Sequence, residues 1–287
     1  MKSFKKVAII GLGLIGGSLG QRIIKKIPDL KVIGIPRRSV TIRQAKEKKA
    51  IHYGTLDIKA GVRQADLIII ATPIDLIIPK FKQIVKELKK GAVVVDVAST
   101  KTNIVLEAEA MCPSGVFFVG GHPMAGLEKT GIEVADHKIL EKATFVLTKT
   151  KNTSGKALNE MIHFVKKLGM KPLILKPAVH DFMVAAISHL PYLVAVSLAG
   201  TVEEMKEYRK QLGILMAGGF RDTTRVASSA PRWGKEVAST NREQIIEVLN
   251  LYQKKLQTIR RLIDHRKFRE IERLFTAAKK YRDTLYK

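Results

Sequence analysis

Cysteine is almost absent from this sequence, which excludes a disulfide framework. Cys112 is the single cysteine among 287 residues. This fits a reducing compartment, and we expect a cytoplasmic protein. We interpret Cys112 as a small apolar packing residue and not as a reactive thiol. The chain also lacks Cys/His metal-ligand spacing, a Walker-type phosphate loop and a G-x-S-x-G nucleophile elbow. We therefore expect no metal site.

Acidic residues are also in short supply. There are 26 Asp and Glu against 51 Lys and Arg, which gives a formal net charge of +25. The lysines are mostly spread as pairs along predicted helix faces, and no stripe of arginines alternates with aromatic residues. Such a surface favours small anionic substrates by electrostatic steering. We interpret it as a solvated basic surface and expect no specific nucleic-acid partner.

Long uncharged runs are rare, and one of them needs an explanation. No charged residue occurs between Phe182 and Val202, a length close to that of a membrane span. The run stands alone and contains His189, Pro191 and two serines. We therefore predict a buried central helix and no membrane partner.

A glycine-rich turn near the start of the chain organises the rest. Val7 to Ile10 has the residues of a buried parallel strand, and Leu14 to Ile27 has apolar residues at helical spacing. Between them lies the pattern G-x-G-x-x-G, whose glycines allow a tight turn, close approach of a pyrophosphate, and close packing of helix on strand. The motif predicts a dinucleotide site formed by Gly11, Gly13, Leu14, Ile15 and Gly16.

The turn after the second predicted strand bears on which dinucleotide binds. In NAD-specific folds, an Asp or Glu about 20 residues after the glycines binds the ribose 2′-hydroxyl. Here the strand Lys31 to Ile35 is followed by Pro36, Arg37, Arg38 and Ser39, with no carboxylate. Two guanidinium groups suit a 2′-phosphate. We therefore predict NADP as the preferred cofactor, contacted by Arg37, Arg38 and Ser39, with NAD as the alternative.

Strands and helices alternate up to about Lys176, and only helices follow. Further buried strands are predicted at 67–71, 92–98, 116–119, 143–147 and 171–175. The pattern predicts an α/β Rossmann-type dinucleotide-binding domain over residues 1–177, followed by an all-α dimerisation domain over residues 178–287. A helical segment this short can hardly bury its own apolar surface, and we expect it to pair with a second copy in a homodimer.

Polar residues follow several of these strands, at the edge where an open α/β sheet binds ligands. Thr72 and Pro73, which we assign to the cofactor, follow one strand, and Ser99 follows the next. The segment that begins at Ser99 is also expected to cap the following helix. His122 lies in a predicted Gly-Gly-His-Pro loop. The ordinary pKa of histidine suits general-base catalysis, so His122 is a candidate base, and a loop-stabilising histidine is the alternative.

The helical half offers two further groups. His189 lies within an apolar stripe, where a core histidine is the default interpretation, although Pro191 frees a nearby carbonyl and can kink the helix. Arg221, Asp222 and Arg225 follow a Gly-Gly-Phe segment. An arginine pair flanked by glycine is a candidate carboxylate clamp, and a surface ion pair is the alternative.

With these residues located, the chain resembles, almost end to end, the prephenate/arogenate dehydrogenases of tyrosine biosynthesis. The matching stretches are Gly11–Leu19, Ala71–Pro73, Asp96–Lys101, Gly120–Gly126, His180–Asp181, Ser188–Pro191, Gly219–Arg225 and Thr240–Arg242. The resemblance implies an oxidative decarboxylation. A cyclohexadienol loses hydride to the nicotinamide and loses its ring carboxylate as carbon dioxide, giving 4-hydroxyphenylpyruvate from prephenate or tyrosine from arogenate.

The resemblance also implies roles for individual residues. His122 takes the proton of the ring hydroxyl and is assisted by Ser99. Arg225 holds the ring carboxylate, and His189 lines the substrate pocket. Asp222 can pair with the ammonium group of arogenate. Both substrates stay open, with arogenate slightly favoured.

Two departures from the family pattern concern the substrate pocket. Many relatives have a second histidine where this chain has Tyr192. Trp233 is the candidate for a tryptophan that some relatives insert from the neighbouring subunit, but its spacing from Arg225 is one residue short.

Two rival functions stay open. One is another two-domain NADP-dependent hydroxyacid dehydrogenase, which typically uses a catalytic lysine in the helical domain. The other is a non-catalytic NADP-binding module.

Overall fold

The computed structural model describes residues 4–285 of the chain. Its strands are β1 Lys6–Ile10, β2 Lys31–Ile35, β3 Tyr53–Gly54, β4 Leu67–Ile70, β5 Val93–Asp96, β6 Phe117–Val119, β7 Gly121–Pro123, β8 Thr144–Thr148 and β9 Lys171–Leu175. Its α-helices are α1 Leu14–Lys26, α2 Ser39–Glu47, α3 Ile58–Val62, α4 Ile74–Ile84, α5 Thr102–Met111, α6 Gly155–Lys167, α7 Pro177–Val184, α8 Leu190–Glu203, α9 Arg209–Leu215, α10 Gly218–Thr224, α11 Pro231–Thr240, α12 Arg242–Asp264 and α13 Phe268–Leu285. A π-helical turn, Ala185–His189, joins α7 to α8.

The larger sheet is parallel and has the strand order β3-β2-β1-β4-β5-β6. β1 lies inside it, where Val7 pairs with Val32 of β2 on one side and with Leu67 of β4 on the other. Alternate residues of β1 enter two separate apolar cores, one on each face of the sheet. The strand order reverses between β1 and β4, and such a point forms the ligand crevice of an open α/β sheet. The predicted Rossmann-type fold is confirmed.

A second, three-stranded sheet follows, in which β8 pairs antiparallel with β7 and parallel with β9. His122 is the middle residue of β7, opposite Val146 of β8. The prediction that His122 lies in a loop is therefore wrong. The strand runs close to β5 because Gly121 has no side chain, and a Cβ there would lie 2.7 Å from the carbonyl oxygen of Asp96.

Only helices and helical turns follow β9 within the described residues, as predicted for an all-α part. The glycine-containing stretches 218–220 and 228–234 contain the start of α10 and the start of α11. The chain separates after Arg242 into two compact units, and the second, from Glu243, contains the rest of α12 and α13. The predicted domain limit at residue 177 stays a prediction.

The long uncharged run lies in one helical segment, Pro177–Glu203, whose most apolar window has a mean hydropathy of 1.8. By length and composition alone, this segment could cross a membrane. Only 22% of the window is buried within the described chain, so the prediction of a buried central helix is wrong for the chain taken alone. The side chains of His180 and His189 are buried against the rest of the chain, whereas those of Phe182 and Ile187 are exposed.

Candidate active site

The carboxyl ends of β1, β2 and β4 border a pocket of about 650 Å³. Six residues predicted to bind the cofactor line it, namely Gly11, Gly13, Arg37, Arg38, Thr72 and Pro73. The other four do not belong to the pocket wall: Leu14, Ile15 and Gly16 form the first turn of α1, and Ser39 begins α2. The structure thus brings together the glycine turn and the two arginines that follow β2.

The glycine turn fits a dinucleotide pyrophosphate. Gly11 has a φ of +92°, and an added Cβ would lie 2.5 Å from the carbonyl oxygen of Ala71, so only glycine suits this turn. A Cβ on Gly13 would meet nothing within 4 Å, so bare backbone is open to a ligand. Helix α1 begins without a side-chain cap or an acidic residue in its first turn, which leaves N–H groups for phosphate oxygens. Thr72 Oγ1 is also buried without a hydrogen-bond partner in residues 4–285.

His122 begins a chain of three hydrogen-bonded side chains. Its Nδ1 lies 2.9 Å from His180 Nε2, and His180 Nδ1 lies 2.8 Å from Asp181 Oδ1. His180 and Asp181 are each 1% exposed, whereas His122 is half-buried. Among the described residues, no group forms a hydrogen bond with His122 Nε2. Of the three side chains, His122 is therefore the one open to a ligand.

Asp181 also caps helix α5 from the helical part of the chain. Its Oδ1 accepts from the backbone N–H of Lys101 at 2.7 Å, and its Oδ2 accepts from that of Thr102 at 2.8 Å. The prediction that the segment from Ser99 caps this helix is therefore wrong. Lys101 occupies the N-cap position but cannot cap the helix, because an ammonium group has no acceptor; its buried ammonium group pairs with Asp96.

Burial and neighbouring charges set the protonation of these groups. Burial lowers the pKa of His122 well below its ordinary value, and electrostatic interactions with His180, Lys101 and His189 lower it further. Burial also lowers the pKa of His189 to about 4. Burial alone would raise the pKa of Asp181, but hydrogen bonds from His180 and from backbone N–H groups outweigh it, and the pKa is lowered. At neutral pH, His122 and His189 are neutral and Asp181 is ionised.

A second group of predicted residues meets around Trp233. Its indole Nε1 donates to Ser99 Oγ across 3.2 Å. Its ring packs edge-to-face against His189, with centroids 5.9 Å apart, and against Tyr192, with centroids 5.2 Å apart. Each of these contacts lies within one chain. Helix α11 therefore gathers Ser99, His189 and Tyr192 around one indole ring.

Asn241, for which the sequence predicts no role, joins the two groups. Its Nδ2 donates to the carbonyl oxygen of Asp181 at 2.8 Å and lies 3.2 Å from His189 Nδ1. Because an amide Nδ2 only donates, His189 Nδ1 accepts, and the ring proton lies on Nε2. That Nε2 atom is buried without a partner in residues 4–285. A buried N–H group without a partner indicates a place for a ligand oxygen.

His180 and Asp181 likewise have no role predicted from the sequence. A signal was present, because these two polar residues stand at the start of the long uncharged run. Polar groups that fold into a protein interior are almost always hydrogen-bonded. The partners themselves, on α5 and β7, are distant in sequence, and no local pattern predicts them.

Arg232, next to Trp233, fixes α11 beside the nucleotide pocket. It donates to Asp75 of α4 at 2.8 and 3.1 Å and to Glu236 at 2.6 Å. Glu236 in turn accepts from the backbone N–H of Ile74 at 3.0 Å, where α4 begins. Arg232 also lines the pocket itself. One helix thus contacts both the nucleotide pocket and Ser99.

Arg225 lies on a separate pocket of about 540 Å³. It pairs with Glu128, in the segment that follows β7, and Asp222 lies 3.4 Å from Arg221. All three arginine and aspartate side chains are exposed. Within the described part of the chain, no hydrogen bond connects Arg225 or Asp222 to the groups around His122 and Trp233. The structure therefore does not bring the predicted clamp together with the other predicted substrate residues.

Comparison with known proteins assigns both halves of the chain. Residues 19–173 match the family described as prephenate dehydrogenase, nucleotide-binding domain, and residues 176–277 match prephenate dehydrogenase, dimerization domain. The chain is 32% identical over 285 residues to a prephenate dehydrogenase of Bacillus subtilis, and the match covers 97% of this chain and 76% of that protein.

Solved structures agree with this assignment. An arogenate dehydrogenase of Synechocystis has a TM-score of 0.83 and 33% identity, covering 97% of this chain and 99% of that one. A prephenate dehydrogenase of Aquifex aeolicus, solved with hydroxyphenyl propionate and NAD+, has a TM-score of 0.92 and 28% identity, covering 99% of both chains. The two matched domains span most of the sequence, and the chain belongs to the prephenate dehydrogenase family.

Proposed function

We propose that this protein oxidises prephenate, arogenate or both with NADP, and that His122 is the general base. The products are 4-hydroxyphenylpyruvate or tyrosine, together with carbon dioxide. The observation that carries the proposal is the arrangement of the His122 imidazole, which its lowered pKa keeps neutral. One of its ring nitrogens is bound to His180, while the other has no partner in residues 4–285.

A neutral imidazole can take the proton of the ring hydroxyl at neutral pH. As that proton leaves, electron density moves from the oxygen toward the carbinol carbon and expels its hydride. The bound nicotinamide supplies the hydride acceptor. The C–C bond to the ring carboxylate then breaks, carbon dioxide leaves, and the electron pair completes an aromatic ring. Aromatisation supplies driving force, so the chain mainly has to orient the substrate and accept one proton.

Ser99 and His189 are proposed as hydrogen-bond donors to the substrate. Ser99 Oγ accepts from Trp233, so its own hydroxyl hydrogen stays available. His189 has a buried Nε2–H without a partner in the described residues, and its low pKa keeps it neutral. Tyr192 and Trp233 then provide an aromatic wall beside these donors.

Arg225 is proposed to hold the ring carboxylate, as the family resemblance implies. Its guanidinium group already pairs with Glu128 but has five N–H donors in all. A clamp that bound the carboxylate too tightly would oppose its loss, so we expect this contact to act on KM more than on kcat. Asp222 is proposed to attract the ammonium group of arogenate.

The preference for NADP rests on the positive wall of the nucleotide pocket. Arg37 and Arg38 are exposed guanidinium groups in this wall, and Lys80 and Arg232 line it as well. These groups suit a 2′-phosphate. The wall also contains Glu133, which suits the 2′-hydroxyl of NAD. The ratio of the two cofactor affinities therefore tests this part of the proposal.

A homodimer is proposed to cover the apolar surface of the helical part. The exposed apolar side chains there include Phe182, Met183, Ile187, Val196, Ile214 and Leu215. Burying such a patch against a second copy removes apolar surface from water. The match to a dimerization domain supports this arrangement, which requires neither a membrane nor a nucleic acid.

A cytoplasmic location is proposed from the single cysteine. Burial raises the pKa of Cys112 to about 11, and Glu109 acts in the same direction. The thiol therefore stays protonated and unreactive, as expected of an apolar filler in a reducing compartment.

Initial rates measured with two substrates and two cofactors test the proposal. Prephenate and arogenate are each incubated with NADP and with NAD, and the absorbance of the reduced nicotinamide is followed. We expect oxidation of at least one dienol, with a higher kcat/KM for NADP than for NAD. Oxidation of neither dienol would overturn the proposal, and oxidation of a β-hydroxyacid instead would identify the rival dehydrogenase class.

A further inference from the structure

We infer that His180 and Asp181 are positioning residues, which hold His122 in the tautomer that has its proton on Nδ1 and a free lone pair on Nε2. The inference rests on the proposed role of His122 as the base. It adds that the direction of a buried hydrogen-bond chain decides whether His122 can accept a proton at all. A histidine with its proton on Nε2 would present a donor, and no base, to the substrate hydroxyl.

Asp181 sets the donor and acceptor order of this hydrogen-bond chain. Its carboxylate accepts three hydrogen bonds, from the backbone N–H groups of Lys101 and Thr102 and from His180 Nδ1. These bonds favour the ionised carboxylate, whose pKa is lowered in consequence. An ionised carboxylate has no hydrogen to donate. The proton between Asp181 and His180 therefore lies on His180 Nδ1.

The next link follows from the first. When Nδ1 carries the only ring proton of His180, its Nε2 has a lone pair, and this atom lies 2.9 Å from His122 Nδ1. Two nitrogen lone pairs do not face each other at this distance, so His122 Nδ1 must carry the hydrogen and donate it. Since His122 is neutral, its Nε2 then has no hydrogen. This atom is the one without a partner in residues 4–285.

The backbone around His180 and Asp181 is held on two sides. The Asp181 side chain is fixed by the cap bonds at α5, and its carbonyl oxygen accepts from Asn241 at 2.8 Å. Both residues are 1% exposed, so water does not compete for these bonds. Such a buried, fully bonded arrangement can keep the imidazole of His122 in one orientation through the reaction.

The same hydrogen-bond chain can also form when His122 is protonated. When the hydroxyl proton moves to His122 Nε2, the imidazolium still donates through Nδ1 to His180. Asp181 stands at the far end as the compensating negative charge. Burial acts against protonation of His122, and so do the interactions with His180, Lys101 and His189.

Asp181→Asn tests the direction of the chain. An amide at this position can donate to His180 Nδ1, which turns the chain round and places the proton of His122 on Nε2. We expect kcat to fall by roughly 10²- to 10⁴-fold, with KM and NADP affinity within about twofold. Asp136→Asn is the matched control, because Asp136 also caps a helical turn, by accepting from the backbone N–H of Lys138. Its kcat should match that of the unmodified protein.

Two substitutions at His180 separate positioning from packing. In His180→Gln, the side-chain oxygen can still accept from His122 Nδ1, whereas in His180→Leu nothing can. We expect the glutamine variant to retain at least about tenfold more kcat than the leucine variant. A purely structural role predicts the opposite order, because leucine suits a buried site better than an amide with unpaired groups.

Nitrogen NMR of the full-length protein labelled with ¹⁵N in its histidine rings measures the tautomer directly. The His122 signals are assigned by their loss in His122→Asn. We expect the Nδ1–H tautomer in the unmodified protein and the Nε2–H tautomer in Asp181→Asn. An Nε2–H tautomer in the unmodified protein would overturn the inference.

The kinetic outcomes also distinguish the inference from the proposed function. If His122→Asn is inactive while Asp181→Asn and His180→Leu keep normal kcat, the positioning role is wrong and the base assignment stands. If His122→Asn keeps normal kcat, the base assignment is wrong, and the inference fails with it.

Discussion

The indole N–H of Trp233 donates to Ser99 Oγ across 3.2 Å. Trp233 lies in the helical part of the chain, and Ser99 follows strand β5 of the Rossmann-type sheet. The same helix carries Arg232, which pairs with Asp75 beside the nucleotide pocket. Helix α11 thus packs against the carboxyl edge of the sheet and contacts both Ser99 and the border of the nucleotide pocket.

Trp233→Phe removes this hydrogen bond and keeps most of the aromatic surface against His189 and Tyr192. One neutral hydrogen bond contributes about 0.5–1.5 kcal/mol. We therefore expect kcat to fall by roughly 2- to 10-fold, with a small decrease in Tm. Steady-state kinetics and thermal unfolding measure both. An unchanged kcat would mean that Ser99 does not depend on its indole partner.

Arg225→Ala is expected to raise KM for the dienol by roughly 10- to 100-fold, since charge-assisted hydrogen bonds contribute about 1.5–3 kcal/mol. We expect kcat to change by less than about threefold, because the carboxylate leaves during the reaction. Arg63→Ala is the matched control, since Arg63 is also an exposed arginine paired with a glutamate, Glu87. A normal KM in Arg225→Ala would remove the clamp assignment.

Substitution of both Arg37 and Arg38 by alanine is expected to weaken NADP binding by roughly 10- to 100-fold while leaving the Kd of NAD within about twofold. The physical reason is that only NADP has the 2′-phosphate these guanidinium groups would bind. Isothermal titration with each cofactor measures the effect. Arg43→Ala, an exposed arginine of α2 outside the pocket wall, is the control. An equal loss for both cofactors would contradict the predicted selectivity.

His189 is expected to make the folded state sensitive to acid. Burial lowers its pKa from 6.5 to about 4, with His180 acting in the same direction and Asp181 opposing it. Between these pH values the unfolded chain binds a proton that the folded chain does not, so the free energy of unfolding decreases as pH falls. The contribution of His189 is about 3 kcal/mol, present above pH 6.5 and lost by about pH 4.

Urea unfolding across this pH range measures that contribution. His189→Gln should reduce the pH dependence of the free energy of unfolding, and the part that comes from the lowered pKa of His122 should remain. His163→Gln, at an exposed position of α6, should leave the pH dependence unchanged. Equal slopes in His189→Gln and the unmodified protein would show that His189 is not buried as a neutral ring.

The nucleotide-binding half was the more predictable from the sequence, for a physical reason. The glycine turn, the buried parallel strands and the polar residues at their ends are local patterns, so the sequence alone predicts Gly11, Thr72 and Ser99 at one edge of the sheet. His122 was expected at that edge but in a loop, because a three-residue strand such as β7 gives no periodic signal. It pairs with β8, more than 20 residues later.

The helical half was less predictable because its contacts are distant in sequence. The cap of α5 comes from Asp181, 79 residues after Thr102, and local capping rules cannot anticipate such a partner. Asn241 likewise bonds Asp181 and His189 across 60 and 52 positions. The burial of the uncharged helix was hard to predict for a different reason. Hydropathy shows that its side chains are apolar but does not show whether the same chain buries them.

Turnover by His122→Asn, compared with the unmodified protein on prephenate and arogenate, tests the central claim most directly. We predict a loss in kcat of roughly 10²- to 10⁴-fold while the Kd of NADP and the Tm remain normal, because the amide cannot accept the hydroxyl proton. A variant that binds NADP, remains folded and oxidises the dienol at the normal rate would contradict the account.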